Sequence, residues 1–295
     1  MQSPGSNRVG SWVIESYLVP SSIQEAISIL SEYEAARPIA GGTDLMVEKP
    51  PGVSHLVDVS RLGLSYIRKD ASGLKIGACT TISAIAESAT AKEATSEILT
   101  EAAGTFSSKQ VANVATIGGN LCQGLPSANM SPGLIALDAT VKIVGSIGQR
   151  EIPVSELFVS ARKTTLDRNE LLTEIAIPRL PQKTAGAFLK LQRTCSDVAL
   201  VDGATVVTLD EDRSCRDVRI VIGGGVAPVP LRLREAESHV RGRPIDEESI
   251  ERAATTASGL IRPRPTSIRA SPLCKIEMCR VLVRELLTKS MMKLR

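Results

Sequence analysis

Two glycine pairs, each placed after a short apolar run and beside small polar residues, constrain this chain more than anything else in it. The first is AGGTD at residues 40–44 and the second is TIGGN at residues 116–120. A single Gly-Gly pair is ordinarily a turn, because glycine reaches φ > 0 without steric cost. The same pairing twice in one half of a chain points to backbone that must approach a ligand. Without side chains in the way, successive N–H groups can surround a phosphate as an anion nest. The hydroxyls of Thr43 and Thr116 and the amide of Asn120 add oriented donors. Two such loops suit the two phosphates of a pyrophosphate. Neither loop matches GxGxxG or the P-loop pattern, so the site is expected outside the Rossmann and P-loop folds.

A chain of 295 residues has room for two domains, and a hydrophobic content of 43% supplies ordinary cores. The net charge of +3 is too small for a protein that neutralises many phosphates, and three Phe, three Tyr and one Trp offer few stacking platforms. Nucleic acid is therefore not expected as a partner. The N-terminus MQSPGSNRVGSWVIESYL has neither a basic start nor a continuous apolar segment, and no apolar run is long enough to span a bilayer. The expected setting is cytoplasmic, with no secretory signal and no membrane span. Cys79, Cys122, Cys195, Cys215, Cys274 and Cys279 form no CxxC pair, which fits reduced thiols.

Hydrophobic periodicity outlines the elements. Residues 22–36 place Ile23, Ala26, Ile27 and Leu30 on one helical face, with Ser22 and Glu25 spaced as a capping box. Pro38 is expected to end that helix, and Ile39 and Ala40 to form a short strand broken at Gly41-Gly42. Residues 55–60, 64–70 and 74–78 read as strands, and residues 96–106 as a helix. Later, residues 197–209 and 215–224 alternate as a hairpin, while 246–259 and 275–289 read as amphipathic helices. The expectation is a mixed α and β first half and an antiparallel second unit.

Beyond these patterns, AGGTDLM at 40–46 and NVATIGGNLCQGLPSANMSPGLIALDA at 113–139 resemble the FAD-binding medium subunits of molybdenum hydroxylases. The likeness continues in the same order through FLKLQRTCSDVALV at 188–201, IVIGGGVAPVPLRLREAE at 220–237 and IRAS at 268–271. It implies an α+β fold: an FAD-binding domain of the p-cresol methylhydroxylase type, itself two α/β subdomains, then a small antiparallel-sheet domain covered by helices. The expected domains are residues 11–181 and 182–295. The resemblance assigns the backbone of Ala40, Gly41, Gly42, Thr43 and Asp44 to the FAD pyrophosphate. It assigns Thr116, Gly118, Gly119 and Asn120 to the phosphate and ribityl chain, and Asn129 to the ribityl hydroxyls. Lys190 and Arg193 match a basic segment near the flavin. The chain departs from the family pattern at Asn129, where Asp is common, and at Ser267, Cys274 and Lys275, where Asp, Tyr and Arg are frequent.

No catalytic constellation accompanies these loops. His55 and His239 have no acid or Cys at nucleophile spacing, and Cys274 and Cys279 are poorly spaced for a closed metal site. The resemblance explains this, because it implies a chain that transfers electrons and does not touch the organic substrate. FAD, held non-covalently, is then its only cofactor. Molybdopterin and [2Fe–2S] clusters are expected on a large and a small partner subunit, in a dimer of heterotrimers that serves an external electron acceptor. The alternatives are a self-contained flavin oxidoreductase and a non-catalytic FAD-binding assembly subunit.

Overall fold

The computed structural model describes residues 12–295. The N-terminal stretch read as lacking a leader lies, up to residue 11, outside the described residues. Strand β1 (Ser16–Leu18), β2 (Ala36–Ile39) and β3 (His55–Asp58) form a parallel sheet with β3 in the centre. Helix α1 (Ile23–Glu32) crosses from β1 to β2 and buries Ala26, Ile27 and Leu30. Ser22 Oγ accepts from the Glu25 N–H at 3.1 Å, as a cap should. The reciprocal half of the expected box goes elsewhere: the Glu25 carboxylate accepts from the N–H and hydroxyl of Ser21 at 2.7 and 2.6 Å. The helix stops at Glu32, well before Pro38, which sits inside β2. A proline is tolerated there because β2 is an edge strand.

The chain then builds an antiparallel sheet in the order β4-β5-β10-β6-β7. Its strands are β4 (Ile67–Asp70), β5 (Gly73–Gly77), β6 (Thr140–Gly145), β7 (Gly148–Pro153) and, after a small hairpin of β8 (Phe158–Ser160) and β9 (Lys163–Thr164), β10 (Leu171–Pro178). Short helices lie between β5 and β6. After α2 (Leu45–Glu48) of the first unit they are α3 (Ile82–Ala86), α4 (Ala89–Ala94), α5 (Ile98–Gly104), α6 (Lys109–Ala112), α7 (Ile117–Cys122) and α8 (Met130–Ala136). Ile76, Val141, Ile143 and Ile175 of the sheet share a core with Ile82, Leu99, Ile117, Leu121 and Leu134 of the helices. Helix α9 (Val154–Leu157) adds Val154 and Leu157 to it.

The second glycine pair differs from its expected form. Gly118 and Gly119 lie in the first turn of α7, not in a loop, with Thr116 as the N-cap. The Thr116 hydroxyl accepts from the Gly119 N–H at 3.1 Å. Gly118 N–H donates to Ala78 O at 2.8 Å, and Ile117 N–H to Thr80 O at 3.0 Å. Close packing accounts for Gly118: a Cβ there would lie 2.8 Å from both Cβ and O of Ala78.

The remaining chain forms a second antiparallel sheet, β11-β12-β13-β14, from β11 (Thr184–Leu191), β12 (Val201–Leu209), β13 (Cys215–Ile222) and β14 (Leu231–Arg232). Helices α10 (Arg234–Ser238), α11 (Glu247–Leu260) and α12 (Pro272–Met292) follow. The hairpin and both long helices lie where the alternation placed them. Side chains alternate across this sheet. Phe188, Ala204, Val206 and Val221 join the core of the five-stranded sheet, while Ala187, Val201, Val207, Ile220 and Ile222 pack with Ala253, Leu282 and Leu286 of α11 and α12. The junction is also pinned by polar contacts. Phe188 N–H donates to Glu101 Oε2 at 2.8 Å, and Lys293 Nζ donates to Gly186 O at 2.9 Å and Glu101 Oε1 at 3.1 Å.

Candidate functional site

The first glycine loop leaves the C-terminal end of β2 and turns through Gly42, whose φ of +66° is a conformation glycine adopts without strain. Its neighbour Gly41 is glycine for another reason. A Cβ at residue 41 would lie 1.9 Å from Val114 O, so the loop rests directly on the backbone that leads into α7. A polar tether holds the same pair of segments: Gln123 Nε2 donates to Glu48 Oε2 at 2.8 Å, and the other Glu48 oxygen takes the Arg162 guanidinium. The two glycine motifs are thus brought side by side.

Their backbones are not equivalent. Among the described residues, the N–H groups of Gly41, Gly42, Thr43, Asp44 and Leu45 donate to no protein acceptor, although the carbonyls of Gly42 and Asp44 accept from α2. Five consecutive unspent donors in a tight turn are free to meet an anion, as in an anion nest. The amides of Ile117, Gly118, Gly119 and Asn120 are all spent inside the protein. What that second segment leaves is Gly119, where a Cβ would meet only the Thr116 hydroxyl, at 3.0 Å. Asp44 is half-buried, and burial, then the charge of Glu48, raises its carboxyl above the usual range, with Arg162 opposing.

A second group of residues gathers beside α7. Asn120 Oδ1 accepts from Met130 N–H at 3.3 Å and so ties α7 to the start of α8. Asn129, buried at the N-cap of α8, donates through Nδ2 to Thr105 O at 3.3 Å. The Lys190 ammonium donates to that same carbonyl at 2.8 Å. Burial lowers the Lys190 pKa, with Asp202 and Asp197 opposing. Asn120, Asn129 and Lys190 therefore converge, with donors left over for a hydroxyl-rich or anionic ligand. Arg193 stands apart on an exposed turn, where its Nε donates to Asp197 Oδ2 at 2.7 Å. Both histidines tie neighbouring elements together, His55 with Ser16 at 2.7 Å and His239 with Thr256 at 2.9 Å.

Sequence reasoning did not single out Glu48, Gln123, Thr105 or Asp202. The first three act through long-range pairings or a backbone oxygen, which no local pattern marks. Asp202 did carry a signal, being an acid inside the otherwise buried run of β12.

A parallel three-stranded unit, an antiparallel five-stranded unit with the unspent amides at its border, and a helix-covered antiparallel sheet make up the chain, and its family matches place it among flavoproteins. The chain belongs to the FAD-binding medium subunits of molybdenum hydroxylases. The family described as the FAD binding domain in molybdopterin dehydrogenase matches residues 11–180, and the CO dehydrogenase flavoprotein C-terminal domain matches residues 186–290. Subunit alpha of the 6-hydroxypseudooxynicotine dehydrogenase complex of Paenarthrobacter nicotinovorans is 33% identical, over 95% of each chain. The solved carbon monoxide dehydrogenase of Hydrogenophaga pseudoflava is similar with a TM-score of 0.88 at 29% identity, covering 94% of this chain and 97% of that one. Quinoline 2-oxidoreductase of Pseudomonas putida 86 is similar at a TM-score of 0.87 and 27% identity, covering 95% and 97%.

Proposed function

We propose that this chain is the FAD-carrying electron-transfer subunit of a heteromeric molybdenum hydroxylase, with residues 11–181 as its FAD-binding domain and residues 182–295 as its second domain. The observation that carries the reading is the run of unspent amides from Gly41 to Leu45, held against the segment before α7. This nest, formed by the loop from Ala40 to Asp44, receives the pyrophosphate. Thr116, Gly118, Gly119 and Asn120 shape the adjoining wall, in which Gly119 supplies clearance. Asn129 and Lys190 hold the ribityl and flavin end, and Arg193 adds positive charge at the rim. Bound FAD supplies two-electron and one-electron chemistry.

Electrons then enter from [2Fe–2S] clusters on a small subunit, which receives them from a molybdopterin-bearing large subunit, and leave to an external acceptor. A dimer of such heterotrimers is the assembly favoured. The names of the similar proteins support this reading, since they are a complex subunit and dehydrogenases. Six unpaired cysteines fit a cytoplasmic setting. Among the described residues no helix is long and apolar enough to cross a membrane.

Acid denaturation of the purified chain should leave FAD in the supernatant, because no His or Cys lies in either glycine segment to attach it. The isolated chain should keep its flavin oxidised when offered aldehydes or heteroaromatics, and the reconstituted complex should reduce it with the correct substrate. Rapid reduction of the isolated chain would favour the self-contained oxidoreductase. A complex whose flavin never takes electrons would favour the assembly subunit.

A further inference from the structure

Asp202 lies directly across from Lys190 in the β11–β12 ladder, and cross-strand partners project from the same face of a sheet. That face also carries Phe188, Ala204 and Val206 into the core shared with the five-stranded sheet. Asp202 is fully buried, and among the described residues no other residue hydrogen-bonds either carboxyl oxygen. Its enclosure comes from both parts of the chain. A Cβ on Gly223 would lie 2.5 Å from Asp202 Oδ1 and 2.9 Å from Pro132 of α8, so this glycine makes the room the carboxyl occupies. Gly224 and Gly225 donate to Pro126 O at 3.0 and 3.3 Å and close the end of the strand.

Two ammonium groups face the acid without reaching it. Lys190 on β11 is engaged by Thr105 O at 2.8 Å, and Lys275 on α12 by Gly224 O at 2.9 Å and Gly225 O at 3.4 Å. Neither forms an ion pair with Asp202. Pro126, Pro132 and the three glycines beside it carry no titratable group. Behind the lysines stand Asp197, which acts on Lys190, and Arg264 and Arg269, which act on Lys275. An unpaired carboxyl sealed from water keeps its proton in preference to becoming a buried anion. Burial pushes this one up to about 8, against the pull of Lys190, of its own backbone N–H and of Lys275.

We propose that Asp202 is a positioning residue that makes FAD binding pH-sensitive: as a neutral acid it leaves the Lys190 charge available to the cofactor, and as an anion it cancels that charge. The proposal rests on the reading that Lys190 lines the FAD site. The sign for stability follows from the same proton. The folded chain binds it more tightly than the unfolded chain, whose carboxyl titrates near 3.9. The contribution is therefore full below that value and is lost as pH rises toward about 8.

The test measures FAD dissociation constants of the full chain from about pH 7 to about pH 9.5. The wild type should weaken by roughly three- to tenfold across that range, and Asp202→Asn, which mimics the neutral acid, should weaken distinctly less over the same range, any slope left being that of Lys190 itself. A wild type that is flat, or an Asp202→Asn chain that keeps the wild-type pH dependence, overturns the proposal. A ¹³C carboxyl titration of the FAD-free wild type needs no variant and should show Asp202 protonated at neutral pH. An ionised carboxyl there also overturns the proposal. A chain that binds no FAD at any pH overturns the functional reading, and this one with it. A pH-independent Kd overturns this one alone.

Discussion

AGGTD and TIGGN are alike in letters and opposite in hydrogen bonding. In the first, the amides from Gly41 to Leu45 have no protein acceptor among the described residues; in the second, those from Ile117 to Asn120 are all engaged. A glycine pair shows that side chains are unwelcome without showing what comes close. At Gly41 and Gly118 the close atoms are backbone or a fixed methyl, Val114 O and Ala78, and at Gly119 the one close atom is the rotatable Thr116 hydroxyl at 3.0 Å. The contrast separates glycines that let the protein pack from a glycine that leaves room for something else.

The sharpest way to break this contrast is Gly41→Ala. A methyl group 1.9 Å from a carbonyl oxygen cannot be relieved by a rotamer, so the backbone of one segment must move. Overpacking of that severity should cost about 3 kcal/mol or more and abolish FAD binding, read by urea denaturation and flavin absorbance. Gly118→Ala, with its contact at 2.8 Å, should be next. A loss of about 1–3 kcal/mol, in the apo chain as well as the loaded one, would mark it as a packing glycine. An apo stability equal to wild type would mean that Ala78 does not set this position. Gly119→Ala should change stability least, within about 1 kcal/mol of zero, since Ala suits a helix better than Gly and only the Thr116 hydroxyl must yield. Its effect should fall on the FAD dissociation constant. Normal affinity would move the cofactor away from α7.

What the sequence disclosed and what it hid divide along the range of the interactions. The hairpin of β12 and β13 and the helices α11 and α12 were legible because alternation and helical periodicity are local, and Asp246 and Ser271 cap their helices as their residue types suggest. Thr116 was as good a cap, yet two glycines after it suppressed the helix reading. Their low helix propensity is overridden by the need to sit against Ala78, a contact with no local trace. Pro38 misled in the same way, because edge position is a property of the sheet. Within the candidate site, the residues pointed to Asn120 and the family resemblance to Asn129 and Lys190, and the structure gathers the three. The sequence could not name Thr105, whose contribution is a backbone oxygen shared by Asn129 and Lys190.

The seating of Gly41 on Val114, reinforced by the Gln123–Glu48 bond across 75 residues, has a kinetic consequence. The nest is not a property of its own five residues, and a peptide cut from this loop would be an ordinary flexible stretch. It comes into being only after the chain closes a long loop and docks α7, a step whose cost is conformational entropy and whose rate reflects topology. Under the proposed reading, the cofactor gains its phosphate contacts only once that closure is made. A ligand bound there would then stabilise the folded state by mass action.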